Sequence, residues 1–168
     1  MQIRLARRDD VPTINQLVRD LASYERASAE VTATDSQLDA ALFGAEPHVF
    51  CHVGELDGVV VGFALWFRSY STWTGASGLY LEDLYVRPEV RGRGVGRALM
   101  QTLAKRCLEE GLARFEWSVL DWNEPSIAFY HGIGAHALDE WTRYRLSDEA
   151  LVNFARGASQ RFVAAPRE

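Results

Sequence analysis

Asp57-Gly58 stands between two apolar runs, Val49 to Leu56 and Val59 to Phe67, and this dipeptide narrows the accessible folds more than any other feature of the chain. A two-residue connection of type I′ needs positive φ at both central positions, which Asp-Gly tolerates and which suits the twist of paired strands. The two runs are therefore expected to form an antiparallel hairpin inside a larger sheet. The second run is strand-length, well under the ~20 residues that span a bilayer.

The flanking segments extend the pattern. Gln2 to Ala6 alternates, with Ile3 and Leu5 on one face, and reads as a first strand. Asp9-Asp10-Val11-Pro12 supplies acidic helix-start chemistry and an early proline, followed by Ile14, Leu17, Val18 and Leu21 at helical spacing. Thr34-Asp35-Ser36-Gln37 is a capping box, with Leu38, Ala41 and Leu42 behind it and Gly44 to end a short helix. After the hairpin, Arg68 to Gly78 reads as a loop and Leu79 to Val86 as a strand that stops at Arg87-Pro88. A helix with Val95, Leu99, Leu103 and Cys107 on one stripe ends before Gly111. Phe115 to Leu120 alternates as a strand, and Asn123-Glu124-Pro125-Ser126 starts a helix that Gly132 and Gly134 break. Trp141 to Leu146 reads as a last strand and Ser147 to Ala155 as a terminal helix. This order predicts an α/β or α+β fold with a central mixed sheet, one domain over 1–156, and a weakly patterned tail over 157–168.

Composition removes several functions. With 18 Lys+Arg against 23 Asp+Glu and a net charge of −5, no basic block stands apart to neutralise phosphates, so duplex nucleic acid is not an expected partner. A membrane is not expected either, and Arg and Asp near the start occupy the place of a signal peptide's apolar region. Cys51 and Cys107 are too few for a disulfide framework, so a reduced, cytoplasmic protein is expected. His48 and His52 on a strand point away from Cys51, so no metal site is expected there.

The segment Arg91-Gly92-Arg93-Gly94-Val95-Gly96-Arg97 carries the strongest functional signal. Glycines on alternate positions between a strand and a helix leave successive backbone N–H groups bare, and the helix adds its unpaired amides and positive dipole end. A phosphate-bearing ligand is expected. The segment lacks the Gly-Lys-Ser/Thr ending of a P-loop and the spacing of a dinucleotide fingerprint.

Arg-x-x-Gly-x-Gly resembles the pyrophosphate loop of the GNAT family of N-acetyltransferases, and the resemblance runs from about Ile3 to Leu151. Within that family the chain looks most like diamine acetyltransferases of the spermidine/spermine type. The matching strings are Leu21-Ala22-x-Tyr24-Glu25, Leu79-Tyr80-Leu81-Glu82-Asp83, the glycine loop, and Trp122-Asn123-Glu124-Pro125-Ser126-x-x-Phe129-Tyr130. The resemblance implies a mixed, mostly antiparallel sheet flanked by helices, acetyl-CoA as co-substrate, a small cationic amine as acceptor, and a homodimer with acidic residues near Trp141 close to the partner's channel. It assigns pantetheine to the backbone of Leu84, Tyr85 and Val86, pyrophosphate to Arg91 through Arg97, and the cofactor's other side to Asn123, Glu124, Pro125 and Ser126. Tyr130 is implied as general acid and Glu82 as the carboxylate that receives the amine's proton through water. Tyr24, Glu25, Asp83, Glu116, Trp117 and Ser118 are implied to line the amine channel. Where the polyamine enzymes carry an acid before the loop tryptophan, this chain has Ser71, and Asp139-Glu140 could supplement it.

The residue chemistry agrees with those roles. A phenol of pKa about 10 stays protonated at pH 7 and can pass its proton to a departing thiolate whose parent thiol has pKa about 8.5. An alkylammonium of pKa about 10.4 is mostly charged at pH 7, and holding it neutral costs roughly 4.6 kcal/mol, so a carboxylate must help. Regular alternation would put Glu82 and Asp83 on opposite faces of their strand. The sequence leaves open a lysine-like amine, a protein amine, an aminoglycoside, or an acyl-CoA sensor without turnover.

Overall fold

The computed structural model describes residues 1–157, in two compact units, one over Met1–Leu120 and one from Asp121 onward. Most of the expected tail, residues 158–168, lies outside the described residues. The first unit runs β1 (Gln2–Leu5), α1 (Val11–Tyr24), α2 (Asp35–Phe43), β2 (Phe50–Leu56), β3 (Val59–Ser71), β4 (Ala76–Val86), α3 (Val95–Glu109) and β5 (Phe115–Trp117). Its strands form one sheet in chain order. All neighbours are antiparallel except β4 and β5, which are parallel. The expected mixed, mostly antiparallel sheet with flanking helices is the observed architecture.

The hairpin forms as its turn dictates, with Asp57 at φ +51° and Gly58 at +82°. One sheet face carries Cys51, Val53, Phe63, Leu65 and Tyr85 against Ile14 and Leu17 of α1 and Leu42 of α2. The other meets α3, since a Cβ on Gly54 would strike Val95 and touch Leu99. Val95, Leu99, Leu103 and Cys107 are all buried, as their spacing requires, and each of the larger side chains contributes about 1.5–3 kcal/mol. His52 is structural: its Nδ1 accepts from Trp66 Nε1 at 3.2 Å, and burial with nearby Arg106 lowers it to about 4. Both cysteines are free and buried.

Local chemistry holds the helix starts. Thr34 and Gln37 form the expected capping box on α2, and the Asn15 amide donates to Asp35, tying α1 to α2. Asp10 serves the helix start through the turn at residues 8–10, where its side chain closes a capping box with Arg7. Its carboxylate accepts from the Arg4 guanidinium at 2.6 and 3.0 Å and from the Arg7 N–H at 2.7 Å, joining β1 to the turn before α1.

Three boundaries differ from the sequence reading. The region expected as a loop from Arg68 to Gly78 is mostly strand, paired Arg68↔Leu79 through Ser71↔Ala76 around a turn at 72–75. Its small polar residues carry no apolar alternation, and here backbone pairing supplies the strand order. β5 ends at Trp117 rather than Leu120. In the second unit α4 (Glu124–Gly132) and α5 (Asp148–Ala155) form as expected, but Trp141 to Leu146 is not a strand. An alternating pattern becomes a strand only when its backbone joins a ladder; here Trp141 donates its N–H back to Leu138 in a turn, and residues 141–146 stay exposed.

Candidate active site

The site starts from an irregularity in β4. Leu81 pairs with Trp66 and Asp83 with the adjacent Leu65, so Glu82 is an inserted residue without a counterpart on β3. Such a bulge interrupts alternation. Before it, Leu79 and Leu81 share the face of Trp66; after it, Asp83 and Tyr85 pair with Leu65 and Phe63, on the face covered by α1. The sequence expectation that Glu82 and Asp83 alternate regularly is corrected here. A charged pair within an apolar strand was the one visible sign of the break.

The same point ends the pairing of β4 with β5. Their register runs from Leu79↔Phe115 to Leu81↔Trp117, so Leu84, Tyr85 and Val86 lie beyond that ladder.

Three carboxylates gather at the bulge. Glu25 follows the end of α1, where its N–H caps Leu21 O at 2.9 Å, and burial raises its carboxyl above the usual range. Asp83 is pushed up to about 6, first by burial and then by the charges of Glu82 and Glu25. Glu82 itself is exposed. Tyr24 directly precedes Glu25 in the chain, and the Arg91 guanidinium lies 4.8 Å from its ring and 5.5 Å from the Tyr85 ring. An acidic pocket with an adjacent aromatic can hold an alkylammonium.

The glycine loop opens at the N-terminus of α3. Gly92 and Gly94 have φ of +76° and +85°, and a Cβ on either would meet nothing within 4 Å. Gly94 is the residue that precedes the helix, so the space that side chains would fill adjoins the helix's unpaired amides. This is the geometry an anion needs. The residues fit a pyrophosphate, with exposed Arg93 and Arg97 beside them. Arg91 is placed differently: its Nε donates to Val86 O at 2.9 Å, so it closes the loop onto β4.

The remaining expected residues are distributed as follows. Glu116 pairs in register with Tyr80 on the α1 face, and its carboxylate meets Arg114 Nε at 2.8 Å. Ser118 Oγ and Tyr80 OH are 2.9 Å apart, whereas Trp117 pairs with Leu81 on the opposite face. Ser71 is remote from this group. It closes the β3–β4 turn, accepting from Thr74 N–H at 3.4 Å, and lies about 20 Å along β4 from Glu82 at ~3.3 Å per residue. In the second unit, Asn123 is buried and its side chain accepts from Ser126 N–H at 3.4 Å, with Glu124 and Pro125 in the first turn of α4. Tyr130 is half-buried, its ring 5.5 Å from Phe129. Among the described residues no group of His, Cys, Asp and Glu could hold a metal ion.

Residues 14–135 match the model of the acetyltransferase (GNAT) family. The thialysine N-epsilon-acetyltransferase of Sus scrofa is 37% identical over 164 residues, 91% of this chain and 96% of that protein. The L-ornithine N5-acetyltransferase of Arabidopsis thaliana is 31% identical, covering 89% and 86%. An integron cassette protein from the mobile metagenome of V. cholerae has the same fold, with a TM-score of 0.77 at 23% identity over 92% of this chain and 97% of its own.

Proposed function

The chain belongs to the acetyltransferase (GNAT) family, and on that premise we propose that it transfers the acetyl group of acetyl-CoA to a primary amine of a small cationic substrate, by direct attack within a ternary complex. The observation that carries the substrate class is the gathering of Glu25, Glu82 and Asp83. Bound acetyl-CoA supplies an activated acyl carbon and a thiolate leaving group. The chain's residues supply the rest. Gly92 to Arg97 hold the pyrophosphate on backbone amides, the outer backbone of Leu84 to Val86 orients the pantetheine, and Asn123 to Ser126 bound the cofactor's other side. The carboxylates hold the substrate's ammonium groups and receive the proton that the attacking amine must lose. Tyr130 donates its phenolic proton as the carbon–sulfur bond breaks.

A second ammonium held by a carboxylate orients the first, and the net charge of −5 draws cations toward the pocket. Small diamines and lysine-like amines are therefore expected to exceed spermine in kcat/KM, and neutral monoamines to be poor. A screen of diamines, polyamines, thialysine and aminoglycosides tests this. If monoamines equal diamines, or spermine is the best substrate of the wild type, the channel assignment is wrong. The similarity to enzymes named for thialysine and ornithine supports the same class.

We also propose residues 1–156 as one catalytic domain, cytoplasmic and homodimeric. Among the described residues no helix is long and apolar enough to cross a membrane. Ser71, paired with Ala76 and so about 20 Å along the sheet from Glu82, reaches an amine site most simply across a dimer, so its channel role and the dimer stand together. Sedimentation should give twice the 18.9 kDa of one chain, and Ser71→Asp should shift preference toward longer polyamines. A monomer at assay concentrations removes both.

A further inference from the structure

Resting on the acetyltransferase reading of this site, we propose that Asp83, rather than Glu82, is the carboxylate that takes up the proton lost by the substrate ammonium. Cys51, Leu65 and Asp83 form one row across β2, β3 and β4, and Val53, Phe63 and Tyr85 form the next. Both rows lie on the face packed by α1 and α2. Phe50, Trp66 and Leu81 form the row on the other side of the bulge and share the opposite face. Without the inserted Glu82, position 83 would follow Leu79 and Leu81 toward α3. The bulge instead turns Asp83 toward the end of α1, where Tyr24 and Glu25 stand.

Every charged group facing Asp83 favours its protonated form or leaves it unpaired. From α1 comes Glu25, from its own strand Glu82, both raising it. From β2 comes the neutral Cys51 thiol, which Asp83 in turn pushes upward. Arg91 is committed to the Tyr24 and Tyr85 rings and to Val86 O. Among the described residues the Asp83 carboxylate makes no side-chain hydrogen bond or ion pair. A half-buried carboxylate without a partner is costly to the fold unless a cation or a proton visits it. Its value of about 6 leaves it mostly ionised at pH 7 yet basic enough to accept a proton, the condition that suits a general base. In the step, the N–H proton passes to an Asp83 carboxylate oxygen, directly or through one water. The nitrogen electron pair forms the bond to the acyl carbon, and the carbon–sulfur bond breaks with its pair going to sulfur. Glu82 and Glu25 act as positioning residues through their charge.

The test is the pH profile of kcat/KM with 1,4-diaminobutane and acetyl-CoA. The wild type should show an acidic limb near 6. Asp83→Asn should lose that limb and lower kcat at pH 7.5 by ~10² with the acetyl-CoA KM little changed, and Asp83→Glu should recover part of it. Glu82→Gln should keep the limb and move it to lower pH, because one neighbouring negative charge is gone. Loss of the limb in Glu82→Gln, or its persistence in Asp83→Asn, overturns the proposal while leaving the acetyltransferase reading intact. A wild type that releases no CoA with any amine overturns the reading itself. Folding of the variant is checked independently. Asp83's raised value means that its contribution to stability is full below about 4 and lost as pH rises through about 6. Asp83→Asn should therefore melt no lower than wild type at pH 7.5, and carbon NMR of labelled aspartate in the full chain should show a titration near 6 that this variant lacks. A titration of Asp83 in the ordinary carboxylate range contradicts the proposal without reference to turnover.

Discussion

Tyr130→Phe is expected to lower kcat by ~10² or more while leaving acetyl-CoA affinity within a few-fold of wild type. The substitution removes one oxygen and its proton. The ring remains, so its packing beside Phe129 on α4 remains too. A step that expels a thiolate without a donor must wait for water, and water has no fixed position relative to the breaking bond. The measurement is kcat by thiol release together with calorimetric binding of acetyl-CoA. Full retention of kcat transfers the acid role to another group.

Gly94→Val is expected to weaken acetyl-CoA binding by ~10² or more. Gly94 sits at φ +85° immediately before α3, a conformation that costs an ordinary L-residue about 1–2 kcal/mol and a β-branched one more. A Cβ there meets no protein atom within 4 Å, so the valine would project into the open space beside the helix amides, where the pyrophosphate is proposed to lie. Strain and occlusion together reach about 3 kcal/mol, which is the stated factor. Gly111→Val separates the two causes. Gly111 follows α3 at φ +64°, also with open space around it, so this change imposes comparable strain away from the loop and should leave cofactor affinity unaltered. An unchanged dissociation constant in folded Gly94→Val would remove the loop as the cofactor site.

The features legible in the sequence are those that local stereochemistry dictates. Asp57-Gly58 specifies its turn because both residues must take positive φ, and both do. Thr34 with Gln37, and Asn123 with Ser126, specify helix starts through side chains that reach only three residues. The spacing of Val95, Leu99 and Leu103 specifies the buried stripe of α3. The features that escaped depend on partners far along the chain. Tyr70 and Ser71 are strand because Ser77 and Ala76 lie across from them, and Trp141 to Leu146 has strand propensity but joins no ladder. The bulge is the costliest omission for function, since one unpaired residue in β4 exchanges the faces of everything after it. Regular alternation puts Asp83 and Tyr85 on the face of Leu79 and Leu81, and only the pairing with Leu65 moves them to the α1 face. Arg91 escaped for a related reason: its partners Tyr24 and Tyr85 come from other elements.

The central claim, that the glycine loop, the acidic pocket and Tyr130 together perform acetyl transfer to a small cationic amine, is tested most directly by incubating the purified chain with acetyl-CoA and 1,4-diaminobutane or thialysine and following free thiol and N-acetylated amine together. The expected result is equimolar release of CoA and monoacetylated product, dependent on the amine and saturable in it. Tight binding of acetyl-CoA with no amine-dependent thiol release would contradict the account and make the protein a binder of acyl-CoA instead.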